Sequence, residues 1–114
     1  MINISVENNT IRAAVLGEFS LADYREFEES ILYSVKFQGK VNLLLDLRDM
    51  LKFTIDVAWE EINFSRAHAS DFGRVAIVAT SQWMIWSAWV TRMFVEAEIQ
   101  VFEDIGTAEV WIAG

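Results

Sequence analysis

The sequence predicts a single α/β domain with elements in the order β-β-α-β-α-β-α-β-α and a mixed five-stranded sheet. Three observations carry this. A length of 114 residues is that of one domain. Segments with a period of two alternate with segments of helical period, which implies crossover units and a mostly parallel sheet. The first two strand-like segments are instead joined by a turn dipeptide, so the first strand supplies an antiparallel edge.

Ile2, Ile4 and Val6 alternate with Asn3, Ser5 and Glu7, the pattern of a half-buried strand. Asn8-Asn9 can take the positive φ of a tight turn. Ile11 to Leu16 is the second strand, with Ile11, Ala13 and Val15 on one face, and Gly17 is expected to break it. Ser20 then caps a helix, with Asp23 at the capping-box position. Leu21, Tyr24, Phe27, Ile31 and Val35 form its core stripe, and Gly39 ends it.

Val41 to Leu47 is apolar on both faces, as a central parallel strand is. Asp46 lies near its carboxyl end and Arg48-Asp49 at its exit. A loop, Met50 to Phe53, is expected next, then Thr54 as the cap of a second helix reaching about Ser70. Arg74 to Ala79 reads as a buried strand, Ser81 as a cap, and Gln82 to Val95 as a third helix. Glu98 to Phe102 is the last strand. Asp104 to Thr107 caps a final helix holding Ala108, Val110, Trp111 and Ile112.

Composition narrows the function. The chain is 54% hydrophobic, enough for a core without staples, and it has no cysteine for a disulfide, a thiolate metal site or a thiol nucleophile. Its net charge of −8 and its lack of any basic run disfavour nucleic acid and anionic membrane surfaces as partners. MINISVENN has neither the basic nor the apolar region of a signal peptide. The uncharged run Val75 to Thr91 is broken by Thr80-Ser81-Gln82, so it is read as strand then helix, not as a membrane span.

No phosphate-binding glycine motif is present, and the turn after the fourth strand, Thr80-Ser81, has no glycine. His68 is the lone histidine, which argues against a metal centre or a catalytic triad, and no cofactor is expected. Asp46 and Asp49 are paired carboxylates at a strand end, where open α/β sheets bind ligands. Arg48 lies between them, and an ordinary loop hydrogen-bonding role is the simpler account. Thr54 and Ser81 are ordinary caps, although a phosphate at either would meet a favourable helix dipole.

The third helix is the exception. Trp83, Trp86, Trp89, Val90, Met93 and Phe94 fill one arc and can cover a sheet. Met84, Ile85 and Ala88 lie on the other side, where a monomeric surface helix is normally polar. Either a neighbouring helix covers them or another subunit, a partner or a lipid does.

The chain resembles the SpoIIAA-like proteins, relatives in fold of the STAS domains of anti-sigma-factor antagonists and sulphate transporters. The matching pieces are GEFSLADYREF (Gly17 to Phe27), LLLDLRD (Leu43 to Asp49), AWEEINFSRAH (Ala58 to His68), FGRVAIVATSQW (Phe72 to Trp83) and VFEDIGTAEVWI (Val101 to Ile112). The resemblance implies a β-α sandwich with four parallel strands and a small bacterial cytoplasmic protein without assigned enzymatic activity. In the antagonists a serine in an Asp-Ser-Ser-Gly-like stretch at the start of the second helix is phosphorylated to release a partner kinase. Here that region is DMLKFTID, Asp49 to Asp56, with Thr54 its only hydroxyl, so no phosphosite is carried over.

The expected function is therefore a non-catalytic interaction or regulatory module. It is expected to self-associate or bind a protein through Met84, Ile85 and Ala88, with the stretch Asp46 to Thr54 as a second contact. A carrier of a small apolar molecule or lipid is the alternative, because Trp, Phe and Met are abundant enough to line a pocket. An enzyme built on Asp46 and Asp49 comes third.

Overall fold

The computed structural model describes residues 1–53, 71–80 and 97–114. Strands β1 (Ile2–Glu7), β2 (Thr10–Phe19), β3 (Val41–Phe53), β4 (Phe72–Val78) and β5 (Glu98–Phe102) form one sheet in that spatial order. Helix α1 (Leu21–Gln38) follows β2, and α2 (Ile105–Ala113) follows β5. β1 runs antiparallel to β2, while β2, β3, β4 and β5 are parallel, so the mixed sheet with an antiparallel N-terminal edge is as the sequence predicts. The expected second and third helices, with Thr54, His68, Ser81, the three tryptophans and the Met84, Ile85, Ala88 face, lie outside the described residues.

The consecutive leucines of β3 are explained by cover on both faces. Leu43 and Leu45 pack with Ile11, Val15, Val75 and Ile77 in a cluster that α1 closes with Tyr24, Phe27 and Ile31. Leu44 points the other way and joins Ala76, Val78 and Phe102 under Ala108 and Ile112 of α2. Successive side chains of a strand alternate in direction, so a strand between two apolar layers has no polar side to show. Trp111 packs on Phe102 with ring centroids 5.6 Å apart, and Arg74 lies over the Trp111 ring and donates to its carbonyl at 2.9 Å. Val110, grouped with these residues in the sequence reading, is instead turned to solvent.

The local signals act as read, with two exceptions. Asn8 takes φ 55° in the β1–β2 turn, and Gly39 takes φ 77° after α1. The Ser20 hydroxyl accepts from the Asp23 amide while Asp23 accepts from the Ser20 amide, completing the capping box. Gly17, however, does not end β2. It takes φ 67° inside the strand, where the β2–β3 register shifts, and pairing continues to Phe19. A left-handed φ is cheap for glycine, so the strand passes through an irregularity instead of stopping. β3 likewise runs on through Met50 to Phe53, where the sequence predicts a loop, because the prolonged β2 offers its backbone a partner.

One buried group stands out on α1. Ser34 is almost fully buried, and its hydroxyl has no hydrogen-bond partner among the described residues. An unpaired buried hydroxyl costs on the order of 1–3 kcal/mol. Ser34→Ala should therefore raise stability by about 1 kcal/mol, seen as a rise of roughly 4 °C in a calorimetric melt. A fall in Tm would mean that the hydroxyl is satisfied in solution.

Candidate interaction site at the carboxyl end of the sheet

The parallel strands end at different heights. β4 leaves β3 at the Asp46–Val78 pair, whereas β2 and β3 continue together to Phe19 and Phe53. A two-stranded ribbon thus projects beyond the body of the sheet, and Asp46 sits at its root. Asp46 is therefore within β3 and not at its end, and Asp49 is within the ribbon and not in a loop. The pairing supplies the reason: Asp46 and Asp49 lie opposite Ala14 and Leu16 of β2. Three residues of β3 then span two of β2, which is a bulge between the two carboxylates.

Asp46 is only 9% exposed. Its carboxylate is held by Arg48, whose Nε and Nη2 donate to the two oxygens at 3.0 and 2.8 Å, while the Arg48 amide donates to the first at 3.1 Å. The fork of a guanidinium matches a carboxylate in this way. Burial alone pushes the Asp46 pKa up, but the three Arg48 donors and its charge outweigh that and hold it below the ordinary aspartate range. Arg48 is correspondingly held more firmly in its charged form, first by the hydrogen bonds to Asp46, with Asp49 and Asp104 adding smaller attractions. An ionised, fully engaged carboxylate has no proton to give at neutral pH and little capacity to take one. Both oxygens of Asp46 are thus occupied by donors from one neighbouring residue.

Asp104 caps α2 nearby. Its carboxylate accepts from the Thr107 amide at 2.8 Å and from the Thr107 hydroxyl at 2.7 Å. Those bonds, first of all, lower its pKa, with burial opposing weakly and Arg48 assisting. At the same end of the sheet two apolar side chains face solvent: Leu51 of the ribbon is 71% exposed and Ile105 at the start of α2 is 39% exposed. Sequence reading missed both. The sequence predicts a loop for Leu51, where exposure is unremarkable, and the strand buries Met50 beside it while presenting Leu51.

Among the described residues, two concavities flank α2. A groove of about 210 Å³ runs between β1, β2 and the start of α2, lined by Asn3, Ser5, Ala14, Leu44, Asp46 and Ile105. A larger one of about 570 Å³ lies at the opposite end of the strands and is polar, with Asn9, Thr10, Asn42 and Arg74 in its wall. Its arginines are engaged: Arg12 with Glu7 and Glu109, and Arg74 with Glu98 and the Trp111 carbonyl. Asn42 accepts from the Arg74 amide at 2.9 Å, and Gly73 permits this because a Cβ there would come within 2.8 Å of the Asn42 oxygen. Among the described residues no group of acidic or histidine side chains is arranged to hold a metal ion, and no helix is long and apolar enough to cross a membrane.

A family model described as SpoIIAA-like matches residues 10–113. Among solved structures, an uncharacterised protein of the DUF3478 family with a SpoIIAA-like fold from Shewanella loihica is similar at 21% identity and a TM-score of 0.77, over 98% of this chain and 92% of that one. The unphosphorylated form of the anti-sigma factor antagonist SpoIIAA is similar at 9% identity and a TM-score of 0.62, over 96% of this chain and 94% of that one. An anti-sigma factor antagonist from Mycobacterium paratuberculosis is similar at 13% identity and a TM-score of 0.58, over 100% of this chain and 94% of that one. At these identities the likeness is one of fold. None of the curated proteins matches the sequence.

Proposed function

The chain belongs to the SpoIIAA-like family, and on that premise we propose that it is a non-catalytic regulatory module that works by binding another protein at the carboxyl end of its sheet. The observation that carries this is the state of Asp46. The buried charge at that end is consumed by a two-point ion pair with Arg48, which leaves recognition and not proton transfer as its chemistry. Further along the ribbon lie Asp49 and the exposed Leu51, and Asp104 and the exposed Ile105 stand at the start of α2, a mixture of apolar and acidic groups suited to a partner with apolar and basic ones. Two structural neighbours are named as antagonists of anti-sigma factors, which is a protein-binding task, and this supports the same reading. A cytoplasmic setting belongs to this proposal.

Met84, Ile85 and Ala88 enter the proposal as a second contact for that protein partner. A carrier role has less support among the described residues. The larger concavity is polar, and the apolar groove is smaller than the ~300–1,000 Å³ of most small-molecule sites.

The test is affinity capture from the cells that make the protein, using wild type and Leu51→Arg. Wild type should retain a protein that Leu51→Arg loses, with both melting at the same temperature because the side chain is exposed. Equal retention by both would remove the ribbon from the site. A small molecule carried through purification, seen by native mass spectrometry, would favour the carrier.

A further inference from the structure

We propose that the free edge of β1 is a docking surface for a second copy of this chain. The two β1 strands would pair antiparallel about a two-fold axis and join two sheets into one. β1 is the terminal strand of the sheet, and among the described residues it pairs with β2 alone. Which of its backbone groups are free follows from its first pair. The Leu16 amide donates to the Met1 carbonyl at 2.8 Å, and the Met1 nitrogen donates to the Leu16 carbonyl at 3.1 Å. Residues 1 and 16 thus exchange both bonds. In an antiparallel ladder such pairs alternate along the strand. Asn3, Ser5 and Glu7 therefore turn their amides and carbonyls toward β2, and Ile2, Ile4 and Val6 turn theirs outward.

That outward row is complementary to itself. If Ile4 sits opposite Ile4 of the second copy, Ile2 falls opposite Val6, and every outward amide and carbonyl of the three residues meets a partner. A shift by two residues in either direction leaves some of them unmet. The same register keeps the two faces in step. Ile2, Ile4 and Val6 lie together on the side of α1, and Asn3 lies opposite Ser5 on the side of α2, at the close spacing of a non-hydrogen-bonded pair. Val6 is 47% exposed although it points to the face that is core elsewhere in the sheet, and pairing would set it beside a copy of the buried Ile2.

Charge favours the same occupant. The chain carries a net charge of −8, so most surfaces of two copies repel, but residues 2 to 6 are all uncharged. Edge strands usually guard against such pairing with lysine, proline or a bulge, and β1 has none of these. The interface is small, so the dimer is weak and depends on concentration.

The experiment combines sedimentation with cross-linking. The weight-average mass of wild type should rise with concentration from 13.1 kDa toward twice that value. Val6→Lys should hold the protein at the monomer mass with an unchanged melt. It also makes the chain less acidic, so general repulsion cannot explain the loss. The chain has no cysteine, so Asn3→Cys with Ser5→Cys introduces the only thiols. Mild oxidation should link position 3 of one copy to position 5 of the other. A monomer at all concentrations with no cross-link overturns the proposal, and this includes the case where the edge serves an extended segment of another protein. A dimer that survives Val6→Lys but is lost with Ile85→Glu also overturns it, and would assign self-association to the helix face instead.

Discussion

Phe27→Ala should cost about 3–5 kcal/mol of folding free energy. Phe27 is 1% exposed and stands midway along the buried stripe of α1, between Tyr24 and Ile31. Its ring fills the layer between the helix and the central strands, in the cluster that contains Leu43, Leu45 and Val75. Truncation removes the transfer free energy of the ring and leaves a space that a helix anchored on both sides cannot close. A domain of this size has roughly 5–15 kcal/mol in total, so the variant should unfold at a much lower urea concentration with an unchanged slope. Phe27→Leu, which keeps most of the volume, should cost less than about 1.5 kcal/mol. Equal losses for the two would mean that the ring is not tightly enclosed.

Arg48→Met is the second large effect. It keeps the aliphatic stem and removes the two side-chain donors from Asp46. A nearly buried carboxylate is left with one backbone amide. Losing one partner of a fully buried pair costs about 3–5 kcal/mol, and the half-exposed position of Arg48 reduces this to about 1–3 kcal/mol. The effect carries a pH signature. The folded pKa of Asp46 lies below its unfolded value, so in wild type the pair's contribution is complete above about pH 4 and is lost as pH falls through the folded pKa. In Arg48→Met the unopposed burial raises that pKa, and protonation then relieves the stranded charge. The difference in stability between the two proteins should therefore be largest at pH 7 and shrink toward pH 3, as urea titrations at the two pH values would show. A constant difference would place the loss in packing of the stem.

Much of this architecture could be read from local pattern. The alternation of Ile2, Ile4 and Val6, the Ser20–Asp23 box and the run Leu43-Leu44-Leu45 each act within a few residues, and each appears in the structure as read. What was not legible depends on pairing between distant segments. Gly17 looks like a strand breaker in isolation, yet a neighbouring strand turns it into an irregularity within a longer ladder. The stretch from Arg48 to Phe53 has no glycine or proline, and that absence is the available sign that β3 continues. The Asp46–Arg48 pair was also within reach, because residues two apart share a face of a strand. A strand that ends at Leu47, with Arg48 at its exit, separates the two.

The strand order has a consequence for how the chain folds. Each strand lies beside the one that precedes it in sequence, from β1 at one edge to β5 at the other. No strand has to be inserted between two that are already paired, and every connection joins nearest neighbours. Three of those connections are crossovers between parallel strands, so each closes more slowly than the tight β1–β2 hairpin. On a ribosome, the β1–β2 hairpin can form first and the sheet can then grow outward in one direction as each further strand emerges.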